Sequence, residues 1–424
     1  MLISHSPGRP IDEAELARIL AEGLGRLDVA GRRVLLVVPD DTRALPMPIL
    51  FDAFVRFIAP RAKSVVLLVA LGTHHPMSPT AIARHLGAPL DSMGRCAGVR
   101  IAQHRWSDPK ALARIGTIGR NEVRNLSQGM LDEDVPVEVN REVLDADLAL
   151  LAGPVFPHEL IGFSGGHKYL FPGVSGPAMI HQTHWLGVLI TNLRINGHRD
   201  TPPRALIEAA ARLVRTERAG LWLGMRSGEV HGVFLGPVRE SWEAAVDLAS
   251  RLNIVWTPRA YHTVVACVPK RFDDLWTGSK CMTTLEAVVE DGGTLVLLAP
   301  HVTEPAAAHG NWHERIGYHV RDWLLADLDR FADVPRVVLG DLTLLAGSGT
   351  FRDGVERRRI HVRVASGISE DRCRRMSLEW ADPAAYPPES LEALEGREEE
   401  GILVVRNAGE TLYRLADGSV PGGE

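Results

Sequence analysis

Arg32-Arg33-Val34-Leu35-Leu36-Val37-Val38-Pro39-Asp40-Asp41-Thr42-Arg43 is a short, continuous apolar run that ends in a polar cluster. A strand buried on both faces has no reason to alternate, so such a run reads as a parallel strand whose C-terminal end opens onto a loop. The reading extends in both directions. Upstream, Ile11 to Leu24 carries apolar residues at helical spacing with acids in its first turn, which predicts an amphipathic helix. Downstream, a helix over Ile49 to Ile58 leads into S-V-V-L-L-V-A-L-G-T-H-H-P from Ser64, again an apolar run closed by a polar cluster. A-D-L-A-L-L-A-G-P-V follows from Ala146 to Val155, and then a helix-like T-P-P-R-A-L-I-E-A-A-A-R-L-V from Thr201. Strands alternating with helices predict an α/β fold with mainly parallel sheets. Ligands of such sheets bind beyond the carboxyl ends of the strands. Three polar clusters stand there: Asp40 to Arg43, Gly72 to His75, and His158 to Lys168. One common crevice is the economical explanation.

A chain of 424 residues is too long for one ordinary core. The pattern restarts near Thr257, with T-V-V-A-C-V-P-K-R-F-D-D-L-W-T-G-S-K, a helix-like Lys280 to Val289, and the apolar runs T-L-V-L-L-A-P, R-V-V-L-G and H-V-R-V-A-S-G. The expectation is two α/β domains, residues 1–256 and 257–424, with the last twenty or so residues packing back on the first. The net charge of -6 leaves no electrostatic footprint for nucleic acid, and no basic run suggests a membrane surface. No apolar stretch reaches the roughly eighteen residues of a membrane span, and the N-terminus lacks a secretory signal, so a cytoplasmic protein with a small-molecule partner is expected. Four cysteines without a C-x-x-C pair indicate neither a disulfide framework nor a thiolate zinc site.

The chemistry concentrates in Pro157 to Trp185, where His158, His167, Lys168, His181 and His184 share a segment with five glycines. Histidines move protons near neutral pH or bind metals, a lysine can condense with a carbonyl, and glycines let the main chain approach a ligand. Gly162 to Gly166 formally matches the G-x-S-x-G nucleophile elbow, but that elbow needs a helix after the serine, and Pro172 follows too soon. The Walker spacing is also missing. A second cluster, His301, His309, His313 and His319, leaves open a zinc-dependent hydrolase using His301, His309 and His313, although Gly310 and Asn311 weaken any shared helix face. Arg43 offers a fork that matches a carboxylate or phosphate, with Asp40 near enough in sequence to orient it or an imidazole.

Taken in order, D-D-T-R, G-T-H-H-P, P-H-E-L-I-G-F-S-G-G-H-K-Y-L-F-P-G and I-H-Q-T-H-W resemble the nickel-dependent lactate racemase family, with ten residues from His158 to Lys168 and sixteen more to His184. The resemblance covers the first half well and the second mainly through D-D-L-W-T-G-S-K. It implies a nickel pincer nucleotide, a pyridinium mononucleotide with two sulfur-bearing arms, bonded covalently through Lys168, with His184 as nickel ligand and Thr42, Ser164, Gly165 and Gly166 as further cofactor-binding positions. It implies His74 and His158 as the paired acid/bases, Arg43 and Lys280 as cationic partners of the substrate, and Asp40 as an orienting carboxylate. The implied reaction is racemisation or epimerisation of a 2-hydroxy acid in an interdomain active-site cleft, and the implied partners are that substrate and the cofactor's biosynthesis proteins. A protein that binds the nucleotide without turnover is the alternative. Trp276 and Thr277 stand where the lactate enzyme has tyrosine and glutamine, and His167 where arginine is usual. These departures point toward a longer or polyhydroxylated 2-hydroxy acid as readily as toward lactate.

Overall fold

The computed structural model describes residues 1–306 and 311–421. The chain divides into two compact units, one of residues 1–156, 162–183 and 199–252, the other of residues 157–161, 184–198 and 253–421 among those described.

The first unit is built on an eight-stranded sheet in the order Ile3–His5, Glu229–Gly236, Glu217–Arg226, Leu148–Val155, Arg33–Val38, Ser64–Val69, Val99–Gln103, Arg95–Cys96. The five strands from Glu217–Arg226 to Val99–Gln103 run parallel, and the three outer ones pair antiparallel. The opening run behaves as its composition requires. Val34 to Val38 are all buried, in register with Val65 to Val69 on one side, while Val34 to Val37 pair with Leu148 to Leu151 on the other. Leu36, Leu67, Leu150 and Leu221 share one core and are fully buried, each stabilising the fold by about 1.5–3 kcal/mol through removal from water. The helix Glu13–Gly25 starts at Asp12, whose carboxylate accepts the Glu15 N–H at 2.8 Å, and it buries Leu16, Ile19, Leu20 and Leu24. Gly23 is required on that face, because a Cβ there would lie 2.5 Å from Ile3 and 2.8 Å from Leu235.

The second unit carries an all-parallel five-stranded sheet in the order Glu379–Trp380, His361–Ser366, Val289–Ala299, Tyr261–Cys267, Ile402–Val405. The helix Leu275–Leu285 packs on it, capped by Asp274. One expectation is corrected here. R-V-V-L-G opens a helix, Arg336–Leu344, because its apolar residues Val338, Leu339 and Leu342 fall on a helical stripe once the sequence beyond Gly340 is included. The final strands stay with the second unit: Ile402–Val405 edges its sheet and Leu412–Leu415 pairs with Ile254–Thr257. The segments 157–161 and 184–198, read from sequence as part of the first domain, group with the second unit, while the main boundary falls at Leu252/Asn253. All four cysteines are free thiols, three of them buried. Among the described residues no helix is long and apolar enough to cross a membrane.

Candidate functional site

In the first unit, the carboxyl ends of neighbouring parallel strands bring together what sequence placed there separately. Asp40 follows the strand Arg33–Val38 and is 5% exposed; His74 follows Ser64–Val69 with a third of its side chain exposed. The Asp40 carboxylate meets His74 Nδ1 at 2.5 Å and accepts the Thr42 hydroxyl at 2.6 Å. Burial works to raise the Asp40 carboxyl, but the hydrogen bond and charge of His74, joined by Thr42 and Arg43, outweigh it and hold the group down at about 2. An ionised acceptor on Nδ1 orients the imidazole and favours the tautomer that carries its proton on that nitrogen. Thr42, expected at the cofactor, therefore directs its hydroxyl to Asp40. Arg43 stands 5.8 Å over the Phe156 ring and acts electrostatically on the buried Tyr169 phenol.

The turn that carries Lys168 is held in part by residues the sequence did not single out, Arg204, Trp242 and Glu208. Ser164 is buried, donates to the Pro154 carbonyl at 3.0 Å and accepts the Phe156 N–H at 3.0 Å. Its hydroxyl thus ties the loop to the preceding strand and is not set up as a nucleophile. A short 3₁₀ turn, Gly166–Tyr169, follows in place of the helix a nucleophile elbow needs. Gly165 and Gly166 take left-handed conformations (φ 77° and 64°), and the space beside them is filled by protein: a Cβ on Gly165 would lie 2.8 Å from Val155 and 3.1 Å from Trp242. Arg204, fully buried, donates to the Gly165 carbonyl at 3.1 Å and to the Phe163 carbonyl, its guanidinium 4.3 Å over the Trp242 ring. Trp242 donates to the Ser164 carbonyl at 2.7 Å. His167 meets Glu208 at 2.7 Å through Nδ1; burial opposes ionisation of Glu208, but His167 and Arg204 keep its carboxyl below the ordinary range. Gly72 N–H donates to the Gly173 carbonyl at 3.0 Å, linking the His74 loop to this turn. Lys168 itself is half-buried.

The second unit holds His158, His184 and Lys280. His158 is 8% exposed, and its Nδ1 accepts the Leu160 N–H at 3.2 Å, with the Glu159 carboxylate 3.7 Å from the same nitrogen. His184 is half-buried on the helix Pro177–Ile190. Lys280 lies on the Leu275–Leu285 helix, its amine 5.8 Å from the Phe272 ring centroid. Thr277 donates its hydroxyl to the capping Asp274 at 2.6 Å. Trp276 hydrogen-bonds to Asp341, a residue the sequence reading missed; burial raises that carboxyl well above its ordinary range, and the nearby Glu159 and Asp274 charges add to the rise. No sequence signal marks Asp341, since it sits within an apolar helix far along the chain.

In the second histidine cluster, His301 Nε2 donates to the Phe272 carbonyl at 2.9 Å, His319 Nδ1 meets Glu356 at 2.7 Å, and His313 is fully buried beside the Tyr318 ring. His309 lies outside the described residues, among which no three metal-ligating side chains converge.

Residues 3–195 match the lactate racemase N-terminal domain family. The lactate racemase of Lactiplantibacillus plantarum is 23% identical over 283 residues, covering 63% of this chain and 59% of its own length. That of Thermoanaerobacterium thermosaccharolyticum is 23% identical over 284 residues, covering 66% and 61%. The chain thus spans about three fifths of the length of these curated relatives. Among solved structures, a protein from Thermotoga maritima is similar at a TM-score of 0.84 and 27% identity, over 97% of this chain and 100% of that one. The lactate racemase apoprotein from Thermoanaerobacterium thermosaccharolyticum is similar at 0.72 and 17% identity, over 97% and 94%, a likeness of fold.

Proposed function

We propose, from the premise that the chain belongs to the lactate racemase family through residues 3–195, that it inverts the hydroxyl-bearing carbon of a 2-hydroxy acid with a nickel pincer nucleotide. The observation that carries this reading is the Asp40–His74 pair: an imidazole oriented by a buried, ionised carboxylate at the end of a parallel strand. A protein that only carried the nucleotide would have no need of that orientation.

The residues present fit the cofactor. Lys168 offers a primary amine on a turn braced by Arg204 and Trp242, and His184 offers an imidazole, a donor suited to nickel; both are half-buried, accessible to a ligand yet shielded from bulk water. Lys168 would tether the nucleotide and His184 would ligate the metal. When bound, the group supplies a hydride acceptor, which avoids forming a carbanion beside a carboxylate. The chain's own part is proton transfer and positioning. His74, with Nδ1 toward Asp40, presents Nε2 to take the substrate's hydroxyl proton and return it. His158 serves the opposite enantiomer, whose hydroxyl points another way. Arg43 and Lys280 supply cations for the carboxylate and hydroxyl. Thr277, turned toward Asp274, lacks the reach of an amide, and Trp276 is held by Asp341. This supports a longer or polyhydroxylated substrate in preference to lactate.

The test uses the full chain co-expressed with the cofactor's biosynthesis proteins. Enantiopure 2-hydroxy acids are incubated with it in deuterated water, and configuration and label are read by chiral chromatography and mass spectrometry. Inversion with little deuterium at the carbon is expected, together with a mass adduct on the Lys168 peptide. Full exchange at that carbon, or loaded protein without inversion of any acid, refutes the proposal.

A further inference from the structure

The second unit contains a cavity of about 380 Å³, within the size range of small-molecule sites, that involves none of the residues assigned above. Five arginines line it: Arg194, Arg321, Arg357, Arg358 and Arg359. The carboxylates around them are Glu286 and Asp291 in the wall, with Asp322 and Glu356 adjoining. Two of these are engaged by main chain, Glu286 with the Ser348 N–H and Glu356 with the Val320 N–H, each at 2.7 Å.

The inner arginines are held by carboxylates and by carbonyls: Arg359 pairs with Asp291 at 3.0 Å, Arg321 with Asp322 at 2.9 Å, and Arg358 lies 3.9 Å from Glu356, which leaves five guanidiniums facing four carboxylates. Arg358 donates to Tyr318 O and Ser377 O at 2.6 Å each, Arg359 to Val289 O at 2.7 Å and to Glu286 O at 2.5 Å, and Arg321 to Leu189 O at 2.8 Å. A carbonyl fixes the orientation of a guanidinium without cancelling its charge. Arg359 is only 6% exposed, and its Nε has no hydrogen-bond partner among the described residues. Independently, Thr191, also in the wall, is a β-branched residue at φ 87°, a strained conformation of the sort that collects at ligand sites.

We propose that this cavity binds a small, multiply charged oxyanion, a phosphate ester or a polycarboxylate, through the arginine cluster. Planar guanidinium forks match either group with paired hydrogen bonds. The proposal does not depend on the racemase reading.

Isothermal titration of the full chain with pyrophosphate and with citrate, at constant ionic strength, tests it. Saturable binding at one site with a Kd below about 1 mM is expected; which anion binds separates phosphate from carboxylate recognition. Arg194 and Arg357 are exposed, so Arg194→Glu with Arg357→Glu leaves the core intact, and this double variant should weaken binding by about tenfold or more. Circular dichroism of the variant checks its fold. No saturable binding of either anion, an effect equal for both and abolished by salt, or unchanged binding in a folded double variant each overturns the proposal.

Discussion

Replacing Asp40 by asparagine removes one charge and almost no volume, so its effect isolates the electrostatic part of the Asp40–His74 pair. The carboxyl sits at about 2 in the folded chain against an ordinary 3.8, a difference equivalent to about 2 kcal/mol at neutral pH. Because the folded value is the lower one, that stabilisation is complete above about pH 4 and is lost as pH falls through about 2. Urea denaturation should therefore find wild type more stable than Asp40→Asn by about 2 kcal/mol at pH 7, with the gap closing between pH 4 and 2. The gap is the informative quantity, since other paired carboxylates titrate in both proteins alike. The same charge stabilises the imidazolium that forms when His74 takes a proton. Its removal should lower kcat for 2-hydroxy acid inversion about thirtyfold or more, with nickel content unchanged by elemental analysis. Asparagine can also hold the ring by its amide hydrogen and so select the wrong tautomer, which deepens the loss. A variant with wild-type kcat, or a stability gap that persists unchanged to pH 2, would refute the assignment of Asp40 as the orienting carboxylate.

His158→Ala should abolish racemisation while leaving nickel bound, whereas His184→Ala should lose the metal; elemental analysis beside chiral chromatography tells the two roles apart, and metal loss in the first contradicts its role. Arg204→Met leaves the Phe163 and Gly165 carbonyls without their buried donor and should cost about 3 kcal/mol in denaturant unfolding, with a matching fall in the fraction of Lys168 peptide that carries the cofactor adduct. Asp341→Asn keeps an acceptor for the Trp276 indole. The Asp341 carboxyl is raised on folding, so wild type loses stability as pH rises above the ordinary carboxylate range. The variant should gain on wild type at pH 8 compared with pH 5, and equal pH dependence of the two proteins counts against a buried, neutral acid there.

The parts of this molecule that sequence revealed are those whose signal is local. A strand segment such as Val34 to Val38, buried on both faces, must be apolar throughout, and the loop after it must be polar, so Asp40 and His74 could be placed at strand ends from the sequence. Whether the two touch is a matter of strand order, and no residue pattern within either strand encodes that these strands are neighbours. R-V-V-L-G misled because an apolar run as short as Val337 to Leu339 fits a buried strand and one turn of a buried helix equally well; only the continuation to Leu344 separates them. Arg204 and Asp341 were invisible for the same reason. Each is a buried polar residue on a helix read only for its apolar face, and its meaning comes from a partner far along the chain, Gly165 for one and Trp276 for the other. Burying a charge is costly unless something compensates, and here carbonyl oxygens and the Trp242 ring compensate the arginine, while burial pushes the Asp341 carboxyl toward its neutral form. The turn that presents Lys168 therefore depends on a residue 36 positions downstream. A Cβ on Gly165 or Gly166 would press on Val155, Trp242 or Arg204, so close packing of that turn is part of what the G-F-S-G-G sequence specifies.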